Sequence, residues 1–175
     1  MHILSAIILI NLTSMNYLSN VSWSKKYVII TIIIVLLVIG IGVSFLLSKQ
    51  LSESELIVLG LLSTVLICVF SLVPTKIEIK DGFLFIHRIS GKKSIKIDSI
   101  KESGLSHVPL SIKLCGSGGL CGNIGWYRAA EFGLYFSYVL DDSKSFYIVL
   151  ENGRRYMLSC DNPDEIISIL ANSKK

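Results

Sequence analysis

Two stretches without a single charge constrain this chain more than anything else in it. Tyr27 to Leu47 and Leu56 to Val73 contain no Asp, Glu, Lys or Arg. Each is long enough to cross a hydrocarbon core of about 30 Å as a helix. Sixteen residues of the first stretch are Ile, Leu, Val or Phe. At roughly −0.3 to −0.6 kcal/mol each, they supply about −5 to −10 kcal/mol toward insertion. The alternative is a pair of core helices in a soluble protein. That needs enough remaining chain to wrap two rods that are apolar on every side, and 175 residues do not provide it. Only 17% of the residues are charged, against about 25% in a typical soluble domain.

The linker Ser48–Glu55 is short and polar, so residues 27–73 are expected to form a transmembrane hairpin (27–47 and 56–73) with both outer ends on one side. Lys25 and Lys26 flank the first span. Lys76 and Lys80 follow the second, and Arg88, Lys92, Lys93 and Lys96 lie a little further on. The linker has one Lys (Lys49) and two Glu (Glu53, Glu55). The excess of Lys and Arg beside the outer ends puts both of them in the cytoplasm. Residues 1–26 form an N-terminal segment. Its apolar run Ile3–Leu12 is too short to span as a straight helix. No Lys or Arg precedes it and no small-residue cleavage pattern follows it. An interfacial helix, a signal, an extra membrane segment and a mis-called start upstream of Met15 all stay open.

From Pro74 to Lys175 the pattern changes to a domain of workable size with a net charge of +3, too small to argue for nucleic acid. Its periodicity is near two. Ile77 and Ile79 alternate with Lys76, Glu78 and Lys80. Asp81-Gly82 then reads as a two-residue hairpin turn, with Phe83–Arg88 as the return strand. Ile95 and Ile97, then Leu110, Ile112 and Leu114, then Leu134, Phe136, Tyr138 and Leu140 form further alternating sets. Phe146, Ile148 and Leu150 lead into Asn152-Gly153 and a return over Arg154–Ser159, a strong hairpin signal. Strands and turns at this spacing predict an antiparallel β sandwich or open barrel. A helix over 163–171 follows, with Asn162 as cap, Pro163 at its first position and Glu165 completing a capping box. Ile166, Ile167, Ile169 and Leu170 give it one apolar stripe to pack on the sheets.

Six or seven strands closed by one C-terminal helix resemble the pleckstrin-homology (PH) superfold. The closer resemblance is to bacterial PH-like domains that follow a pair of membrane spans. It is carried by Pro74 at the membrane exit, the strand–Asp81-Gly82–strand unit, the glycine-rich stretch Gly116–Gly122 before an aromatic strand, and the closing run Val149–Ser159 with Asp161-Asn162-Pro163-Asp164-Glu165. The resemblance covers roughly Pro74 to Leu170. It implies a membrane-anchored α+β protein of the bacterial inner membrane with a cytoplasmic PH-like domain. It is specific for fold and weak for function, since PH-like folds host lipid, peptide and protein binding. PH domains that bind phosphoinositides carry a Lys, a spacer and a basic-x-Arg triplet across the first hairpin. Lys80 and Arg88 fit that pattern and Ser90 breaks it. Lys80, Arg88, Lys92, Lys93 and Lys96 still make a basic edge suited to an anionic leaflet.

Gly116-x-Gly118-Gly119-x-x-Gly122 lacks the strand–loop–helix context of a dinucleotide loop, and no Walker A motif is present. The stretch is expected to be a bent or bulged loop in which glycine supplies positive φ. Gly118, Gly119 and Gly122, with Trp126, Tyr127 and Arg128 just beyond, are the candidate contact residues for a protein or peptide partner, because aromatic residues and Arg dominate binding hot spots. An exposed strand edge is a second way to take a peptide. Cys115 and Cys121 are spaced too widely for a structural zinc pair, and no nucleophile, paired-carboxylate or His-Glu-x-x-His arrangement appears. The expectation is a non-enzymatic, cofactor-free module that contacts the lipid bilayer and a protein or peptide, takes no nucleic acid, and leaves a homo-oligomer open.

Overall fold

The computed structural model describes residues 16–47 and 52–173; the run 3–12 and residues 48–51 of the linker lie outside the described residues. Two helices, α1 (Lys25–Leu47) and α2 (Glu53–Ser71), are both long and apolar enough to cross a membrane. Their apolar residues face outward all round, which suits lipid rather than a core. Both boundaries differ from those set by counting apolar residues. Ser52 and Glu55 form a capping box, with the Ser52 N–H donating to Glu55 Oε2 at 2.9 Å, so α2 starts three residues before Leu56. At the other end, Val73 is 2% exposed inside the β domain, and Tyr27 at the start of α1 is buried against that domain. The domain claims both residues from the apolar stretches.

Ten strands follow the sequence: β1 (Tyr17–Asn20), β2 (Pro74–Lys80), β3 (Phe83–Arg88), β4 (Gly91–Lys96), β5 (Ile100–Leu105), β6 (Ser111–Gly119), β7 (Gly122–Ala129), β8 (Gly133–Val139), β9 (Ser145–Leu150) and β10 (Arg155–Ser159). Helix α3 (Pro163–Asn172) ends the described chain. One sheet has the order β1-β2-β3-β4 and the other β5-β9-β10-β8-β7-β6. The expectation of six or seven wholly antiparallel strands is corrected on two counts. Strand β10 lies parallel to β8, with Tyr156 opposite Phe136, because the β9–β10 hairpin places its second strand back against β8. Strand β1, which precedes α1, pairs with β2, which follows α2, with Ser19 opposite Ile77.

The main core lies between the sheets, around Ile77, Leu84, Ile86, Ile124, Phe146 and Ile148. Ile166 and Leu170 of α3 close one side of it. A smaller core on the back of the six-stranded sheet holds Tyr127, Tyr135, Val139 and Met157. Two local expectations need correction. Asn162 makes no side-chain cap on α3, because the chain at this point is engaged with β1: the Asp161 N–H donates to Asn20 O at 2.9 Å and the Asn162 N–H to Ser19 Oγ at 3.4 Å. Leu110, Ile112 and Leu114 are not an inward-facing set. They are exposed on and beside the edge strand β6, where a register shift between Lys113 and Cys115 breaks the alternation. Asp81 and Gly82 both take positive φ (52° and 78°), as a type I′ turn requires. At Asn152-Gly153 only Gly153 does (78°), closing a three-residue loop whose Leu150 N–H donates to Arg154 O at 2.8 Å.

Candidate functional site

The glycine-rich stretch is no loop. It is the β6–β7 hairpin, turned by Leu120 and Cys121 alone. Its glycines serve a close backbone crossing. Gly116 and Gly125 are opposed, with φ of 125° and 135°. A Cβ on either would stand 2.7 Å from the other's Cα. Gly122 packs with equal closeness under the Val139 carbonyl and Leu140. Gly118 is exposed, while Gly119 lies beside Ile30 of α1.

Of the six expected contact residues, Trp126 and Arg128 share an exposed face. Register places Phe136 opposite Trp126, Leu134 opposite Arg128, and Ile112 on the other side of Arg128. Ile112 is 73% exposed, Leu134 51% and Trp126 40%, with the Trp126 indole edge-on to Phe136 at 5.2 Å. This is the face of the six-stranded sheet that fronts the main core, at the corner beyond Ile124 and Tyr138. Tyr127 points the other way. It is buried in the second core, stacked on Tyr135, and its hydroxyl donates to Ser117 O at 2.6 Å. Burial pushes its phenol up to about 12. Ile112 and Leu134 were missed as surface residues because alternation alone assigns them to a core.

Two joints tie the domain to the helices, and neither shows in the order of residues. At the first, the Cys121 N–H donates to Thr31 Oγ1 of α1 at 2.8 Å. Cys121 holds a positive φ (59°), unusual for a residue with a side chain, and its thiol is fully buried and pushed up to about 11 by desolvation. Close by, the Tyr27 hydroxyl donates to Asp142 at 3.0 Å and accepts from Asn123 Nδ2 at 2.6 Å, and Lys26 pairs with the same Asp142. The approach to α1 is also pinned: the Ser24 N–H donates to Leu140 O at 2.9 Å and the Ser22 hydroxyl to Asp161 at 2.9 Å. The Lys144 ammonium on Asp161 holds that carboxyl below its usual range.

At the second joint, Ser90 in the β3–β4 turn donates both its N–H (3.1 Å) and its hydroxyl (2.8 Å) to the carbonyl of Ser71, the last residue of α2. Ser90 is the position that departs from the inositide pattern, and here it satisfies a helix-end carbonyl. The basic residues of this sheet do not gather into one edge. Lys80 and Lys96 sit at the Asp81-Gly82 end, whereas Arg88, Lys92 and Lys93 flank the Ser90 turn. Lys92 lies over the Phe85 ring on the outer face, and Lys93 reaches inward over Tyr156.

Among the described residues, no group of His, Cys, Asp and Glu is placed to hold a metal ion. No curated protein and no solved structure matches the chain. A family model described as "Bacterial PH domain" matches residues 75–173, which takes in β2 to β10 and α3 and leaves β1, α1 and α2 outside.

Proposed function

Since the chain belongs to the bacterial PH domain family, whose domain is typically a non-catalytic interaction module, we propose that it is a membrane-anchored interaction module. In this reading α1 and α2 hold the domain at the inner face of the bacterial cytoplasmic membrane, where it takes a protein or peptide partner. The observation that carries it is the exposed face of Ile112, Trp126, Arg128 and Leu134. Grouped apolar side chains with an Arg and a Trp on one exposed face are the usual makings of a binding site. The adjacent edge strand β6 adds free backbone groups for a paired strand. Anchoring raises the effective concentration for partners in the same membrane.

The test is Trp126→Ala with Arg128→Ala in the full-length chain, followed by cross-linking in native membranes and identification of the captured proteins. The double variant is expected to keep its melting temperature and lose a specific partner. Recovery of the same partners in the same yield would show that this face is not the site. A second reading, contact with anionic lipid, draws on the Ser90–Ser71 joint, which brings Arg88, Lys92 and Lys93 to the end of α2.

A further inference from the structure

The two joints lie at one depth. Helices α1 and α2 approach at Gly42 and Leu59, where a Cβ on Gly42 would stand 4.0 Å from Leu59 Cδ2. From Gly42 back to Thr31 is about 16 Å of helix, and from Leu59 on to Ser71 about 18 Å, at about 1.5 Å per residue. The β6–β7 tip at Thr31 and the β3–β4 turn at Ser71 therefore touch the helices at nearly the same level. The uncharged part of α2, Leu56–Ser71, measures about 24 Å, most of the about 30 Å of a hydrocarbon core, so Ser71 stands next to the boundary of the core on its side. Lys25 stands about 9 Å and Lys26 about 7.5 Å further out by the same helical rise, at the outer limit of a headgroup layer about 5–8 Å deep.

From this geometry, and resting on the reading that α1 and α2 span a membrane, we propose that the β domain is sunk into the headgroup layer of its own leaflet, with the β6–β7 tip and the β3–β4 turn reaching the hydrocarbon boundary. The occupant of this surface is the bilayer into which the helices insert. The side chains suit the site. Ile89, at the tip of the β3–β4 turn, is 60% exposed, a large apolar side chain where this seating would bring it to the lipid tails. Arg88 and Lys92 beside it are placed to meet lipid phosphates, at about 1 kcal/mol for each cation near an anionic leaflet, while Lys93 is turned inward over Tyr156. The β6–β7 tip, Gly118-Gly119-Leu120-Cys121, has no charged residue of its own, and the Lys113 ammonium beside Gly118 is on a long side chain that can turn to the phosphates. The Asp81-Gly82 turn lies at the opposite end of β3, so the lipid contact falls on the other end of the sheet from Lys80 and Lys96.

The experiment places single nitroxide labels on the full-length chain in vesicles of phosphatidylethanolamine and phosphatidylglycerol, after Cys68→Ala and Cys115→Ser. Collision rates with oxygen and with a water-soluble nickel chelate report depth. Ile89→Cys and Gly118→Cys are independent probes of the two tips, Leu36→Cys probes the span, and Asn152→Cys probes a distant exposed turn. Labels at 89 and 118 are expected to meet the nickel chelate several-fold less often than the label at 152, and oxygen more often. If 89 and 118 behave like 152 while 36 is shielded, the seating is wrong and the membrane reading stands. If 36 is also open to the chelate, the membrane reading fails and takes the seating with it. Variants are compared only where their melting temperature matches the parent, and either tip alone decides its own half.

Discussion

Gly116 and Gly125 face each other where the β6 and β7 backbones come too close for any side chain. Alanine at either position must push a backbone away, and its positive φ adds strain that only glycine escapes. Gly116→Ala or Gly125→Ala is expected to cost about 2–4 kcal/mol, in the range of overpacking plus an unfavourable dihedral. Gly118→Ala, whose nearest neighbours are the ends of the Tyr127 and Lys113 side chains, should cost under about 1 kcal/mol. Thermal melts of the detergent-solubilised chain compare the three. The thiols divide just as sharply. Burial pushes Cys121 and Cys160 each up to about 11 from an ordinary value near 9, and the thiolate is the reactive form. At pH 7.5 a water-soluble maleimide should modify Cys115, which is exposed, and leave Cys121 and Cys160 untouched, as read by mass spectrometry. Because the folded state holds these two protons more tightly than the unfolded chain, their contribution is intact below pH 9 and is lost as the pH rises toward 11.

Between elements, the joints differ in kind. The Cys121 N–H is buried with Thr31 Oγ1 as its partner, so Thr31→Val, which keeps the shape and removes the acceptor, leaves a buried donor unpaired. The expected loss is about 1–3 kcal/mol, visible as a lower melting temperature, with Thr31→Ser recovering most of it. Ser90→Ala keeps the backbone bond to Ser71 and loses an exposed hydroxyl bond, so its effect should stay under about 1 kcal/mol. Neither joint was legible beforehand. Thr31 reads as one polar residue in an apolar run, and its partner lies 90 residues away. Local signals did better: Asp81-Gly82 states its own turn, and the alternation of Phe146, Ile148 and Leu150 names its own buried face. The glycine stretch misled because a run of Gly is equally compatible with a loop and with two backbones in contact. On the candidate face, Trp126 and Arg128 were legible as residue types. Their neighbours Ile112 and Leu134 depend on register across three strands.

At the scale of the molecule, one sheet is built from both ends of the helical hairpin. Leu18 stands opposite Glu78 across the β1–β2 pair. A Leu18→Cys, Glu78→Cys chain without its native thiols should form an internal disulfide in intact membranes under mild oxidation, seen as a shift on non-reducing gels. Failure to do so, with Leu18→Cys labelled from one side of the membrane and Glu78→Cys from the other, would overturn the shared side for these two strands. The family match begins at residue 75, so β1 lies outside it. Its YLSN sequence is too short and too polar to announce a strand.

That first strand also sets an order of events. Asn20 and Pro74 are separated by 53 residues, so β1 leaves the ribosome several seconds before its partner, at about 5–20 residues per second. On the proposed reading of α1 and α2 as membrane spans, it waits while two segments are threaded out and back. If the first segment enters with the wrong orientation, or the second fails to return, the two strands end on opposite sides of a barrier neither can cross. The edge of β2 is then left open to pairing with another chain. Closure of the sheet thus doubles as an inspection of the threading, performed by hydrogen bonds between residues that were made at different times.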